Sequence, residues 1–241
     1  MAAPIPDTRI LYFIKISIMH TESPSPLNAI ERWQLIRDDG TDMKPELLRF
    51  AAVTGLERVA PGRISTLLLL QLYAGATSGA LNSAKVIHEI ACLEGAGRQS
   101  KLKPPTRFER RPALRGLWHK HYLQDGIASM ALNLRRGIKQ HGIPVLKKMI
   151  DDAAATGEQR HFEVAHAATI ADDAVRGTWE RLQDQQALTG EWIIFGVDDG
   201  ANYYLSLGTH GEGDEVLRTQ IEAFCRQEFP FIANQLEPLE P

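Results

Sequence analysis

The stretch EWIIFGVDDGANYYLSLG, residues 191–208, leaves the chain least freedom. Its arms, EWIIFGV over 191–197 and NYYLSLG over 202–208, are rich in aromatic and β-branched residues, and DDGA lies between them. An Asp-Gly pair flanked by such runs is a strong local signal for a β-hairpin, because the turn needs positive φ. A lone hairpin is only marginally stable in water, so it must find another strand or pack on a helix. LRGLWHKHYL, residues 114–123, offers a third strand, since its aromatics suit a half-buried pleated surface.

Elsewhere the apolar period is helical. Lys44-Pro45 opens a helix with Leu47, Leu48, Ala51, Ala52 and Leu56 on one stripe. ISTLLLLQLYAGA, residues 64–76, is apolar nearly all round and should be buried. Residues 81–93 follow, with Leu81, Ala84, Ile87 and Ala91 inward. Beyond them, Ile127, Met130, Ala131, Leu134 and Ile138 form a stripe that Gly142 stops, and Pro144 opens a short helix. Residues 162–188 read as one long helix with an apolar face of Val164, Ala167, Ala168, Ala171, Ala174, Val175, Thr178, Trp179 and Leu182, stopped by Gly190. Asp214 is positioned to N-cap a last helix carrying Leu217, Ile221, Phe224 and Cys225. ERWQLIR, residues 31–37, reads as one or two helical turns.

The fold expected is therefore α+β, predominantly α-helical, with a small antiparallel β-element near residues 191–208 packed on a long helix. The organisation expected is an N-terminal extension and linker over 1–28, a helical region over 29–94, a basic linker over 95–112 and an α+β region over 113–241. One continuous domain over 29–230 is the alternative. ILYFIKISIM, residues 10–19, is too short to span a bilayer, which takes about 20 apolar residues. Lys15 interrupts it and no small-x-small cleavage site follows, so an edge strand, or an extension ahead of a start at Met19, is expected. With two cysteines, Cys92 and Cys225, the chain is no disulfide scaffold, and a reducing cytoplasm is its expected home.

Charge supplies the functional clue. The net charge is −3, which argues against a nucleic-acid coat protein. Yet between Arg98 and His121 stand Arg98, Lys101, Lys103, Arg107, Arg110, Arg111, Arg115 and Lys120, with Glu109 as the one acid. From Gly211 onward the balance reverses, with seven acids against Arg218 and Arg226. A cationic stretch attracts phosphate polyanions, and Trp118 and Tyr122 among the cations suit base stacking. Lys101, Lys103, Arg107, Arg110, Arg111, Trp118 and Tyr122 are thus candidate nucleic-acid contacts, with RNA as the expected partner class.

His119 and His121 would share one face of a strand, roughly 7 Å apart. Two imidazoles can divide general-acid and general-base roles, and a nearby cation can hold phosphoryl oxygens. His119, His121, Lys120, Arg115, Tyr204 and His210 are the candidate catalytic residues of a metal-independent ribonuclease, in the manner of toxin-type enzymes and by analogy only. Two alternatives stay open. One is a non-catalytic interaction or regulatory module whose helical N-terminal region docks a protein. The other is a metal-dependent hydrolase built on His119 and His121, with His161, His166, Asp198, Asp199 or His210 completing the ligands. No cofactor motif is present: the glycines and lysine of residues 75–85 lack phosphate-loop order, and no Gly-x-Ser-x-Gly or His-Glu-x-x-His occurs. No cofactor, metal or membrane is expected.

Overall fold

The computed structural model describes residues 14–18, 29–96, 99–157, 162–209, 211 and 213–238. In chain order these form β1 (Ile14–Ile18), β2 (Trp33–Arg37), α1 (Lys44–Thr54), α2 (Leu56–Val59), α3 (Thr66–Ser78) and α4 (Ser83–Leu93). Then come β3 (Thr106–Arg107), β4 (Trp118–Tyr122), α5 (Ile127–His141), α6 (Pro144–Thr156), α7 (Val164–Asp172) and α8 (Thr178–Asp184). The chain closes with β5 (Glu191–Asp198), β6 (Ala201–Gly208), α9 (Asp214–Glu228) and α10 (Ile232–Gln235). The class is α+β and predominantly helical. No helix among the described residues is long and apolar enough to cross a membrane.

The chain divides into two compact units. The larger takes its described residues from Ala3–Ser100, Pro104–Gln124 and Gly190–Pro241, and the smaller from Lys101–Lys103 and Asp125–Thr189.

In the larger unit the hairpin forms at the Asp-Gly turn. Asp199 and Gly200 have φ of 46° and 74°, the paired positive values of a type I′ turn, and Asp198 pairs with Ala201. The strand order is β3-β4-β5-β6, all antiparallel, so the 114–123 run supplies the third strand. At Gly190 the chain passes so close to β4 that an added Cβ would fall 1.8 Å from the Tyr122 carbonyl oxygen. That close approach, rather than a helix stop, is what requires glycine there.

Alternation along β5 feeds two cores. Ile193 and Phe195 join Tyr122, Tyr204 and Leu207 on one side, and Trp192 and Ile194 join Phe108, Leu205 and Leu217 on the other. The all-apolar α3 contributes to both, Leu67 to one and Leu68, Leu69, Leu70 and Leu72 to the other. That two-sided burial explains why it shows no polar face. Ser65 caps it, accepting from Leu68 N at 2.9 Å.

Several sequence expectations change here. ERWQLIR is a 3-10 turn (Ala29–Arg32) followed by β2, whose buried Trp33 and Leu35 alternate with exposed Gln34. β2 pairs with β1, so residues 14–18 are the expected edge strand, while the linker over 21–28 lies outside the described residues. Of the expected stripe Leu81 and Ile87 reach the core but Ala84 is exposed, and the buried residues of α4 are Ser83, Val86, Glu89 and Ile90. Gly213, not Asp214, is the N-cap of α9.

The smaller unit is helical. α5 and α8 cross closely at Gly137, where a Cβ would meet Thr178 Cγ2 at 2.4 Å. The expected long helix runs as α7, a π-turn (Asp173–Gly177) and α8. It ends four residues earlier than expected, with Gln186 taking φ of 49° beyond it.

A buried carboxylate joins three distant segments of the larger unit. Glu228, the last residue of α9, accepts from Trp33 Nε1 (2.6 Å) and from Thr66 N (3.1 Å), the first amide of α3. Burial pushes its carboxyl up to about 7, against hydrogen bonds from Thr66 and Trp33 that pull it down. The native state therefore holds this proton across a range where the unfolded chain releases it. The stabilisation is complete below the ordinary carboxylate range and is lost as pH rises through about 7. The gap from an ordinary value of 4.5 corresponds to about 3 kcal/mol. Denaturant titrations from pH 4.5 to 8 should show stability falling with pH and a flatter profile in Glu228→Gln. An unchanged slope in that variant would show that another group controls it.

Candidate functional site

β4 sorts the candidate residues by strand alternation. His119 and His121 lie on one face, their rings 5.4 Å apart and perpendicular. His119 stacks on Phe108 at 4.4 Å and meets the Trp192 ring at 5.7 Å, and Thr106 Oγ1 lies 3.4 Å from its Nε2. His121 is buried, with Nδ1 2.7 Å from the Gly190 carbonyl oxygen and 3.4 Å from the Gly190 amide nitrogen. β4 thus brings the two rings together on one face, with Phe108 and Trp192 against the half-buried His119.

The other face of β4 is interior. Lys120 is 2% exposed, lies 3.2 Å from Glu89 of α4 and donates to Ser100 Oγ at 2.9 Å. Ser100 in turn donates to Glu89 Oε2 at 2.7 Å. Tyr122 is in the core. Tyr204 is also fully buried, donates to Glu94 Oε1 at 2.6 Å, and burial with the Glu94 carboxylate holds its phenol far above the ordinary range. Arg63 pairs with the same Glu94. The structure therefore separates Lys120 and Tyr204 from the histidines. Arg115 pairs with Glu237 at 3.6 Å, and His210 lies outside the described residues.

The basic segment is partly engaged within the chain. Arg111 pairs with Asp214 of α9 while lying 4.4 Å above the Trp192 ring. Arg107, on edge strand β3, lies 5.9 Å from the half-buried Trp118 ring. Arg107 and Arg110 are exposed. Lys101 and Lys103, also exposed, belong to the smaller unit, where partial desolvation of the amine and the nearby Arg136 guanidinium lower Lys103 below its usual range.

For a metal, no group of three or more His, Cys, Asp or Glu side chains is suitably placed among the described residues. His166 is occupied as a helix cap, its Nδ1 accepting from Glu163 N at 3.1 Å, and His161 lies outside the described residues.

A different candidate surface appears in the smaller unit. α6 and α7 bury no residue at all. Val164, Ala168, Ala171 and Val175 follow one another at helical spacing and are all exposed, Val164 at 87% and Val175 at 51%. Phe162 is 71% exposed, and Ile127, Leu132 and Ile150 are also open. Only from Thr178 onward does the face of the long helix become interior, with Thr178 and Leu182 buried. The stripe was visible in the sequence as an apolar face; that nothing in its own unit covers it was not.

The geometry gives Lys120 a structural part. Removing its charge strands Glu89 in the interior, so Lys120→Met should cost about 3–5 kcal/mol in chemical denaturation. Adding Glu89→Leu should recover much of that loss, because no buried charge is then left unpaired. A Lys120→Met loss under about 1 kcal/mol would return Lys120 to the surface-cation class.

The chain matches no protein-family model, no curated protein and no solved structure.

Proposed function

We propose that this protein is a non-catalytic interaction module that docks a protein partner through the helices α5–α8. The observation carrying this reading is the exposed stripe Val164–Ala168–Ala171–Val175. Monomeric soluble proteins rarely leave contiguous apolar patches open, and such patches mark interaction sites. A sequence that holds an apolar face over several turns, in a fold that leaves it wet, is patterned for a surface it meets later. The helices of residues 29–94 instead direct their apolar residues to the core of their own unit. The separation of Lys120 and Tyr204 from the histidine pair favours a non-catalytic role over the ribonuclease and metal-hydrolase alternatives. A reducing cytoplasm suits the reading, since no disulfide joins Cys92 and Cys225.

A second reading, engagement of RNA or another phosphate polyanion, is favoured by the exposed Arg107, which lies on edge strand β3 near the Trp118 ring, and by the exposed Arg110. Single-stranded RNA should then bind with a salt-dependent affinity, and Arg107→Glu with Arg110→Glu should reduce the log–log slope by about 1.4, the share of two phosphate contacts. Absence of binding at low salt removes this reading.

For the interaction module, Val164→Asp with Val175→Asp should leave unfolding stability within about 0.5 kcal/mol of wild type, measured at nanomolar concentration, because both side chains already face water. A loss of about 2 kcal/mol or more would mean that the stripe is core packing of a single chain, and the reading would fall.

A further inference from the structure

α4 carries two metal-ligand side chains that the interior leaves unused. His88 and Cys92 stand four residues apart on it, the spacing at which two side chains on one helix face reach a common point. His88 is exposed and Cys92 half-buried, so the pair lies on the solvent side, away from the buried Val86 and Ile90. Ala84, Gly95 and Ala96 nearby are exposed and small, which leaves room for an ion and its waters.

The donors have the separation that a chelate needs. Zinc binds sulfur at about 2.3 Å and imidazole nitrogen at about 2.05 Å, and a tetrahedral angle then sets the two donors about 3.6 Å apart. Cys92 Sγ and His88 Nε2 are 3.6 Å apart. A weak thiol hydrogen bond has the same reach, so an entering ion takes the place of the thiol proton, which passes to the buffer. With its own proton on Nδ1, His88 presents the Nε2 lone pair to that ion. The neighbouring carboxylates are committed, Glu89 to Lys120 and Ser100, and Glu94 to Arg63 and Tyr204. No third His, Cys, Asp or Glu joins the pair among the described residues. One thiolate and one imidazole suit zinc-class ions, whereas magnesium and calcium take oxygen ligands.

We propose that His88 and Cys92 form a two-point chelate for a thiophilic divalent cation of the zinc class, with water completing its shell. The site belongs to the larger unit and does not rest on the interaction-module reading. An ion held there clamps the last turn of α4, which leads directly into Glu94 and its partners Arg63 and Tyr204.

Titration of the full chain with Zn2+ and Co2+, in a non-thiol reductant, tests it. Wild type should bind Zn2+ saturably within about 100 µM, and a large excess of Mg2+ should not compete. Affinity should rise about tenfold per pH unit between about 6.5 and 8, because one thiol proton is displaced. Co2+ should give a thiolate-to-metal charge-transfer band, which must come from Cys92 because Cys225, the other cysteine, is fully buried. His88→Ala and Cys92→Ser should each raise the dissociation constant about 100-fold, since a lone donor loses the effective concentration of the pair. Cys92→His should bind Zn2+ within about tenfold of wild type while losing the band, because two histidines at this spacing form the same chelate. Circular dichroism should be alike for all four proteins. Absence of saturable Zn2+ binding overturns the proposal, as does wild-type affinity in His88→Ala or Cys92→Ser. A folded Cys92→His protein that binds no better than Cys92→Ser overturns it too.

Discussion

One buried carboxylate sets the frame of the larger unit. Glu228 accepts from Trp33 on β2 and from the first amide of α3, and it ends α9. Three segments far apart in sequence thus converge on two oxygens. A buried polar group must be hydrogen-bonded to be tolerated, so each segment depends on the others being in place. Around that anchor α3 can be apolar on every side, because sheet, α9 and the N-terminal helices cover it from opposite directions. Three sets of polar groups enter this interior with their partners: Glu228 with Trp33 and Thr66, Lys120 with Glu89 and Ser100, Tyr204 with Glu94 and Arg63.

Those sets also redirect the chemistry. A cation beside two histidines in the sequence suggests phosphate handling, yet strand alternation turns Lys120 away from His119 and His121 and into an ion pair. A cation already neutralised and desolvated by Glu89 is not available to a phosphoryl oxygen without breaking a costly interior pair. Tyr204 is committed in the same way. Of the candidate set, the histidines share a face through geometry that the sequence allowed, and the Phe108 and Trp192 rings pack against His119 on that face.

What was legible in the sequence follows from how local its physical cause is. The hairpin was legible because its turn needs two adjacent residues at positive φ, and Asp199-Gly200 supply them. The start of α1 at Lys44-Pro45 and the stop of α5 at Gly142 were legible because their causes are equally local, a fixed φ at the first and a glycine at positive φ at the second. β2 was not: WQLIR is too short to separate period two from a helical turn, and its partner strand lies upstream of a proline-rich stretch. The inward face of α4 was hidden because Glu89 interrupts the apolar stripe that defines such faces, and its partner Lys120 is 31 residues away. The candidate site was legible only as residue types. Whether a cation faces water or a carboxylate depends on pairings across the sheet, which spacing alone does not encode.

The two units differ in how completely they use their own patterning. In the larger, nearly every apolar stripe ends in a core, and charged interior groups find partners. In the smaller, α5 and α8 lock together at Gly137, while α6 and α7 keep faces that gain nothing from the fold of one chain. A stripe exposed for several turns costs solubility and invites aggregation unless something specific covers it. Marginal helices also draw most of their stability from tertiary burial of an amphipathic face, and these two find little of it within their unit.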